Sequence, residues 1–274
     1  STANGFSMLR QGSATLVAGQ SMAPTTIQVD PAKEYQSMDG FGFALTYSTC
    51  YNLLKMSPEA RAHFLKQTYS ETEGYGVSYA RISIGCNDFS STEYSQGLEN
   101  FKLYRDETDY VIPIIKEILA INPKMKIIAA PWTCPKWMKV KDLQSKAPFD
   151  SWTDGHLNPD YRKTYAEYFV KFVETMKAQG IDIYAVSPQN EPLNKANCAS
   201  LYMPWDEEAP FVKELAAAFK QNKLTTKIYV FDHNYNYDND KTQEDYPIKV
   251  YNALGNSFEG SELVVGAAYH DYGG

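Results

Sequence analysis

The sequence predicts an α/β fold of the (β/α)8 TIM-barrel kind, on three observations. From Asp39 onward, short apolar runs of strand character alternate with amphipathic helical segments. Polar and aromatic residues collect just after the strand-like runs, as in a barrel whose site is assembled at the C-terminal ends of its strands. No Gly-x-Gly-x-x-Gly turn or Walker loop follows any run, which lowers the doubly wound nucleotide-binding alternative.

Residues 1–38 are polar, and Ala14-Thr15-Leu16-Val17 and Thr26-Ile27-Gln28-Val29 are expected as one or two strands outside the repeat. Strand one is expected over Gly40–Leu45. A helix then opens at Ser57-Pro58-Glu59, with Ser as cap and Pro at the first helical position. Strand two spans Val77–Ile84, and its helix begins near Asp109, carries Ile112, Ile115 and Leu119 on one face, and ends before Asn122-Pro123. Strand three is Lys126–Ala130, stopped by Pro131.

The clearest helix opens at Asn158-Pro159 and closes at Gly180, with Tyr161, Tyr165, Tyr168, Phe169, Phe172 and Met176 recurring at helical spacing. That stripe is expected in the core and not as a ligand platform. Strand four is Ile183–Ser187, followed by a helix around Pro210–Asn222. Strand five is Ile228–Phe231, a short helix lies near Pro247–Leu254, and strand six is Leu263–Tyr269. These units occupy roughly 235 residues, about 40 each, so a closed barrel of eight needs about 80 more. The barrel domain, 39–274, is therefore expected to be incomplete at its C-terminus, stopping after strand six.

Lys and Arg total 26 against 33 Asp and Glu, a net charge of −7, and no basic block is long enough to track a phosphate backbone. Nucleic acid is not expected as a partner. No apolar run reaches the length of a membrane span. The chain is rich in aromatic residues, with 21 Tyr, 13 Phe and 4 Trp, which favours sugar stacking only weakly because such residues also fill cores. Cys50, Cys86, Cys134 and Cys198 lack metal-ligand spacing, and buried free thiols are favoured over one disulfide.

Strand four runs into Ser187-Pro188-Gln189-Asn190-Glu191-Pro192. A carboxylate at a barrel strand tip, in a loop stiffened by prolines, is placed to give and retake a proton if its pKa lies near the working pH. A water-facing Asn-Glu-Pro turn is the bland alternative, disfavoured by the position at the end of a β/α unit. Other barrel chemistries find no lysine or metal cluster at a strand tip that would replace the carboxylate.

Several motifs carry a resemblance. They are Asp39-Gly40-Phe41-Gly42 at strand one, Arg81-Ile82-Ser83-Ile84-Gly85-Cys86-Asn87-Asp88-Phe89-Ser90 at strand two and Ala130-Pro131-Trp132-Thr133-Cys134-Pro135-Lys136-Trp137-Met138-Lys139 at strand three. Gln189-Asn190-Glu191-Pro192, Asp232-His233-Asn234 and Tyr269-His270-Asp271-Tyr272 follow in order at strands four, five and six. From Asp39 to Gly274 the chain resembles glycoside hydrolase family 30, the glucosylceramidase-like and β-glucanase-like barrels.

The resemblance implies a retaining glycosidase in which Glu191 is the acid/base and Asn190 meets the sugar 2-hydroxyl. It places Arg81, Asp88, Trp132, His270 and Tyr272 around the sugar and makes residues 1–38 part of a side β-sandwich. Arg81 is equally readable as the ion-pair partner of a buried acid, Trp132 as core, and His270 as a hydrogen-bonded structural histidine. The family's nucleophile, a Glu at the end of strand seven, has no counterpart here and is expected beyond residue 274. An inverting pair drawn from Asp88, Asp232 or Asp271 is the lesser alternative.

The implied substrate is an oligo- or polysaccharide. The choice leans to endo-β-1,6-glucan, with exo-acting β-glucosidase, glucosylceramidase, β-xylosidase or xylanase activity and a non-catalytic sugar-binding barrel as alternatives. The implied chemistry needs no metal or organic cofactor, and the resemblance implies a secreted, periplasmic or cell-surface protein. Two departures from the family pattern stand out: Asp271, where an aromatic is usual between the strand-six His and Tyr, and Phe43-Ala44-Leu45-Thr46-Tyr47-Ser48 at strand one.

Overall fold

The computed structural model describes Thr15, Ala18, Gly19, Pro24, Thr25 and residues 27–274. The chain divides into two compact units, Ser1–Asp39 and Gly40–Gly274. The strand expected over Ala14–Val17 lies, but for Thr15, outside the described residues. Ile27, Gln28 and Val29 form no strand, and the local order of this unit is a turn in which Asp30 accepts from the Lys33 and Ala32 amides at 3.2 and 3.0 Å.

The larger unit holds a parallel sheet of six strands in chain order: β1 (Gly42–Ala44), β2 (Tyr79–Ile84), β3 (Lys126–Pro131), β4 (Ile183–Val186), β5 (Lys227–Asn234) and β6 (Val264–His270). All neighbours pair parallel, and the sheet curls into a half-barrel. Helices provide the crossovers, as parallel pairing requires. These are α1 (Tyr47–Lys55), α2 (Pro58–Tyr69), α3 (Ile112–Ile121), α4 (Arg162–Ala178), α5 (Trp205–Gln221) and α6 (Tyr246–Leu254). Among the described residues none is long and apolar enough to cross a membrane.

Local chemistry explains most boundaries. The Ser57 hydroxyl accepts from the Ala60 amide at 3.2 Å and Pro58 takes the first helical position, so α2 starts where the sequence placed it. In α4, Tyr165, Tyr168, Phe169, Phe172 and Met176 are all buried. Tyr165 stacks on Phe211 of α5, centroids 4.9 Å apart and planes 18° apart. The stripe is core as expected, except for Tyr161, which precedes α4 and is half-buried against the core's edge.

Three helices differ from the sequence reading. α1 was not expected; it buries only Cys50 and Leu53, too short a stripe to register as a period, and is capped by Thr46. α3 is preceded by a π-helical turn over Asp106–Val111, so the helical segment starts before Asp109. α5 begins at Trp205, and Pro210 lies inside it instead of at its start; an acidic first turn of Asp206, Glu207 and Glu208 favours the helix dipole.

Cys50, Cys86 and Cys134 are buried free thiols, whereas Cys198 is free but exposed, its Sγ donating to Glu93 at 3.3 Å. Burial pushes Cys50, Cys86 and Cys134 up to about 12, 11 and 12.

Two buried carboxylates fix the loop that follows β2. Asp106 accepts from the Ser91 amide and hydroxyl at 2.8 and 2.7 Å. Glu107 accepts from Tyr94, Gln96 and the Tyr104 amide at 2.9, 2.7 and 2.6 Å. This long loop is thus held against the helix it feeds.

Candidate active site

The strand ends gather the candidate residues through backbone pinning. The Ser187 amide donates to Ala129 at 3.1 Å and the Asn190 amide to Pro131 at 2.8 Å, continuing the β3–β4 ladder beyond β4. Gln189 is buried, and its Nε2 donates to the carbonyls of Trp132 and Asn190 at 2.7 and 2.8 Å, tying the strand-three loop to the strand-four loop.

On β5 the register shifts between Phe231 and His233, a bulge at which Phe231 and Asp232 take φ of 76° and 66°. A bulge re-aims side chains at a strand end. Here it lets consecutive residues, Asp232 and His233, both reach the neighbourhood of His270.

Asp232 is the buried hub. Arg81 Nη2 lies 2.7 Å from its Oδ2 and His270 Nε2 lies 2.8 Å from its Oδ1, and the Ser187 hydroxyl also donates to it. Burial works against its charge, yet Arg81 and then His270 hold the carboxyl well below the usual range. Arg81 therefore does what the alternative sequence reading described: it neutralises a buried acid. Its Nη2 also donates to Asn190 Oδ1 at 2.8 Å, and its guanidinium lies 4.8 Å from the centre of the buried Trp132 ring. That leaves the Asn190 Nδ2 amine free among the described residues to donate to a bound hydroxyl.

Glu191 stands at the rim, partly buried, with φ 46°. His270 Nδ1 is 3.2 Å from its Oε1, while Asn194 and Asn197 donate to Oε2 at 2.7 and 3.0 Å. The hydrogen bond from His270, opposed by burial and helped by Asn194, holds this carboxyl below the ordinary Glu range. Burial also opposes charge on His270, but its bonds to Asp232 and Glu191 outweigh it and push the imidazole up to about 9.

Arg81, Trp132, Asn190, Glu191 and His270 thus form one connected cluster. Asp88 and Tyr272 stand at its edge. Asp88 is exposed, and its carboxyl is raised by partial burial and by the nearby charge of Glu191. Tyr272 is 85% exposed, its ring centre 6.0 Å from that of His270.

Sequence reasoning gave Asp232 no supporting role and missed Ser187, Asn194, Asn197 and His233. The signal for Asp232 and His233 was their place in the strand-five motif. Asn194 and Asn197, in the loop after Glu191, carried no pattern. Linear spacing also could not connect Glu191, His233 and His270, which come from three separate strand ends and offer ligand atoms within 4.8 Å of one another.

Comparison with known proteins gives the same frame. The chain is 33% identical over 219 residues to putative glucosylceramidase 4 of Caenorhabditis elegans, covering 76% of this chain and 41% of the relative. It is 29% identical over 259 residues to the endo-1,6-β-D-glucanase of Neurospora crassa, covering 90% and 50%. A solved endo-β1,6-glucanase superposes with a TM-score of 0.85 at 59% identity, covering 89% of this chain and 55% of that one. The chain spans about half the length of the relatives it matches. The glycosyl hydrolase family 30 TIM-barrel domain matches residues 38–250, and the chain belongs to that family.

Proposed function

We propose that the face built around Glu191 hydrolyses β-linked glucan with retention of configuration, as an endo-acting enzyme on β-1,6 linkages. The observation that carries this reading is Glu191 itself, fixed at a parallel strand end by His270, Asn194 and Asn197, in a chain 59% identical to an endo-β1,6-glucanase.

In this reading Glu191, as the acid, protonates the departing glycosidic oxygen while a second carboxylate attacks the sugar. It then removes a proton from the water that releases the glycosyl-enzyme. Asn190 Nδ2 donates to the 2-hydroxyl, Asp88 accepts from exposed hydroxyls, and Trp132, His270 and Tyr272 surround the ring.

Asp232 does not suit the nucleophile's part, because both its oxygens are engaged by Arg81, Ser187 and His270. The reading assigns that part to a glutamate outside residues 1–274, about 5–5.5 Å from Glu191. This partner also resolves an electrostatic problem. The hydrogen bond from His270 holds the Glu191 pKa below the ordinary Glu range, which opposes the protonated form an acid needs. A negative carboxylate nearby raises it, and loss of that charge in the covalent intermediate lowers it again, which turns the acid into a base. No metal or organic cofactor enters these steps. Secretion or cell-surface placement, and a side β-sandwich that includes residues 1–38, belong to the same proposal and rest on the family likeness.

The test is product analysis of the full-length protein on a panel of β-linked glucans and glucosides. Release of β-1,6-linked oligosaccharides is expected. Glu191→Ala should lower turnover of natural glucan by about 10²–10⁴-fold, with azide restoring part of the rate on activated glycosides. An unchanged rate on glucan removes Glu191 from the mechanism, and binding without turnover in the wild type replaces the enzyme with a sugar-binding barrel.

A further inference from the structure

Glu191, His233 and His270 each offer a ligand atom, and these atoms lie within 4.8 Å of one another. His233 is the telling member. It is 1% exposed; its Nε2 lies 2.8 Å from Asp238 Oδ2, and its Nδ1 is buried with no partner among the described residues. A buried polar atom left unpaired is costly, and the glycosidase reading gives this nitrogen nothing to do. The contact to Asp238 places a hydrogen on Nε2, so in the neutral ring it is Nδ1 that carries the lone pair.

His270 repeats the pattern, with Nε2 on Asp232 Oδ1 at 2.8 Å and Nδ1 facing Glu191 Oε1 at 3.2 Å. A carboxylate behind each imidazole is the arrangement that orients histidines toward a metal ion. The two ring centres stand 6.4 Å apart with planes at 76°, and one nitrogen of each ring lies within 4.8 Å of the other and of a Glu191 oxygen.

We infer that Glu191, His233 and His270 form a binding site for a divalent transition-metal ion of the zinc and cobalt class, and that the bound ion inhibits the acid/base. Two imidazoles and one carboxylate with an open fourth position are a donor set such ions take, whereas magnesium and calcium prefer all-oxygen shells. The 3.2 Å gap between His270 Nδ1 and Glu191 Oε1 is close to the ~3.3 Å edge of a tetrahedron with bonds of about 2.0 Å. Those two donors need little movement, and His233 closes the remaining distance.

On binding, the proton between His270 Nδ1 and Glu191 is released to solvent, and both lone pairs turn to the ion. Glu191 then neither holds nor delivers a proton. The ion acts as a brake and not as a cofactor. The inhibition rests on the acid/base role proposed for Glu191, whereas the binding site itself stands apart from that role and from the choice of substrate.

Cobalt(II) titration of the whole chain tests it by visible absorption, a readout independent of hydrolysis. One saturable equivalent is expected, with the intense d–d bands of a four- or five-coordinate ion, displaced by zinc. His233→Gln should weaken binding by at least about tenfold, and Glu191→Gln should weaken it as well. Absence of the bands, or undiminished bands in His233→Gln, overturns the site. If His233→Gln does not fold by circular dichroism, Glu191→Gln decides: undiminished bands there overturn it equally. A chain that fails on every glucan yet shows the bands would sink only the proposed hydrolysis.

Discussion

The amide of Glu191 donates to the carbonyl of Asp232 at 3.0 Å, and both residues hold left-handed backbone, with φ of 46° and 66°. Non-glycine residues in that region cost about 1–3 kcal/mol each and persist only where the surroundings over-determine them. Here the surroundings are the Arg81–Asp232 ion pair and the imidazole of His270, which bridges the two carboxylates. The strand-four and strand-five tips are therefore one mechanical unit.

Asp232→Asn should show this. Removing one member of a buried ion pair leaves Arg81 uncompensated, and a stability loss of about 3 kcal/mol is expected in urea denaturation. The same change removes a bond that favours charge on His270, so its pKa should fall from about 9 toward its ordinary value, measured by NMR titration of the ring. A titration that stays near 9 contradicts the assigned network.

Asn194→Ala and Asn197→Ala take away donors to the ionised form of Glu191, so its pKa rises. An acid must be protonated to act, and its pKa sets the alkaline limb of the kcat/KM profile. In the double variant that limb should move to higher pH. A shift to lower pH would mean that the limb belongs to another group.

Glu107 and Glu208 are buried, and burial, only partly offset by hydrogen bonds, pushes both up to about 7. Below the unfolded value both states are protonated and neither residue favours unfolding. Between there and about 7 the unfolded chain has already lost its protons while the folded chain keeps them, so stability falls as pH rises. The decline should amount to roughly 3 kcal/mol per residue at most and level off above pH 7. Glu107→Gln should flatten its share in urea melts taken at pH 5 and pH 8.

Phe211→Ala removes the ring that stacks on Tyr165 between α4 and α5 and should cost about 3–5 kcal/mol. Tyr272→Ala, at 85% exposure, should leave stability within about 0.5 kcal/mol. Its expected effect is on KM for glucan, with the melting temperature as the control.

The legible parts of the sequence were those in which a local rule acts alone. Ser57-Pro58 announces a helix start, and the α4 aromatics announce a buried face, because cap and period are properties of a few adjacent residues. Glu191 was legible from its place after a strand. Its electrostatics were not, because the donors that hold it charged arrive from residue 270 on one side and from an unpatterned loop on the other. Pro210 misled for a related reason: prolines favour first turns, and only packing reveals one accommodated deeper in a helix.

Strands β1 and β6 lie at the two ends of the sheet order; β1 is exposed along its length and β6 is half-buried, with Phe43 45% exposed on one and Val265 45% on the other. Each border carries backbone donors and acceptors beside apolar rings and branched chains, the combination on which other chains pair. A polypeptide limited to residues 40–274 should therefore self-associate along these two borders, and light scattering should register that association well below the temperature at which its core melts.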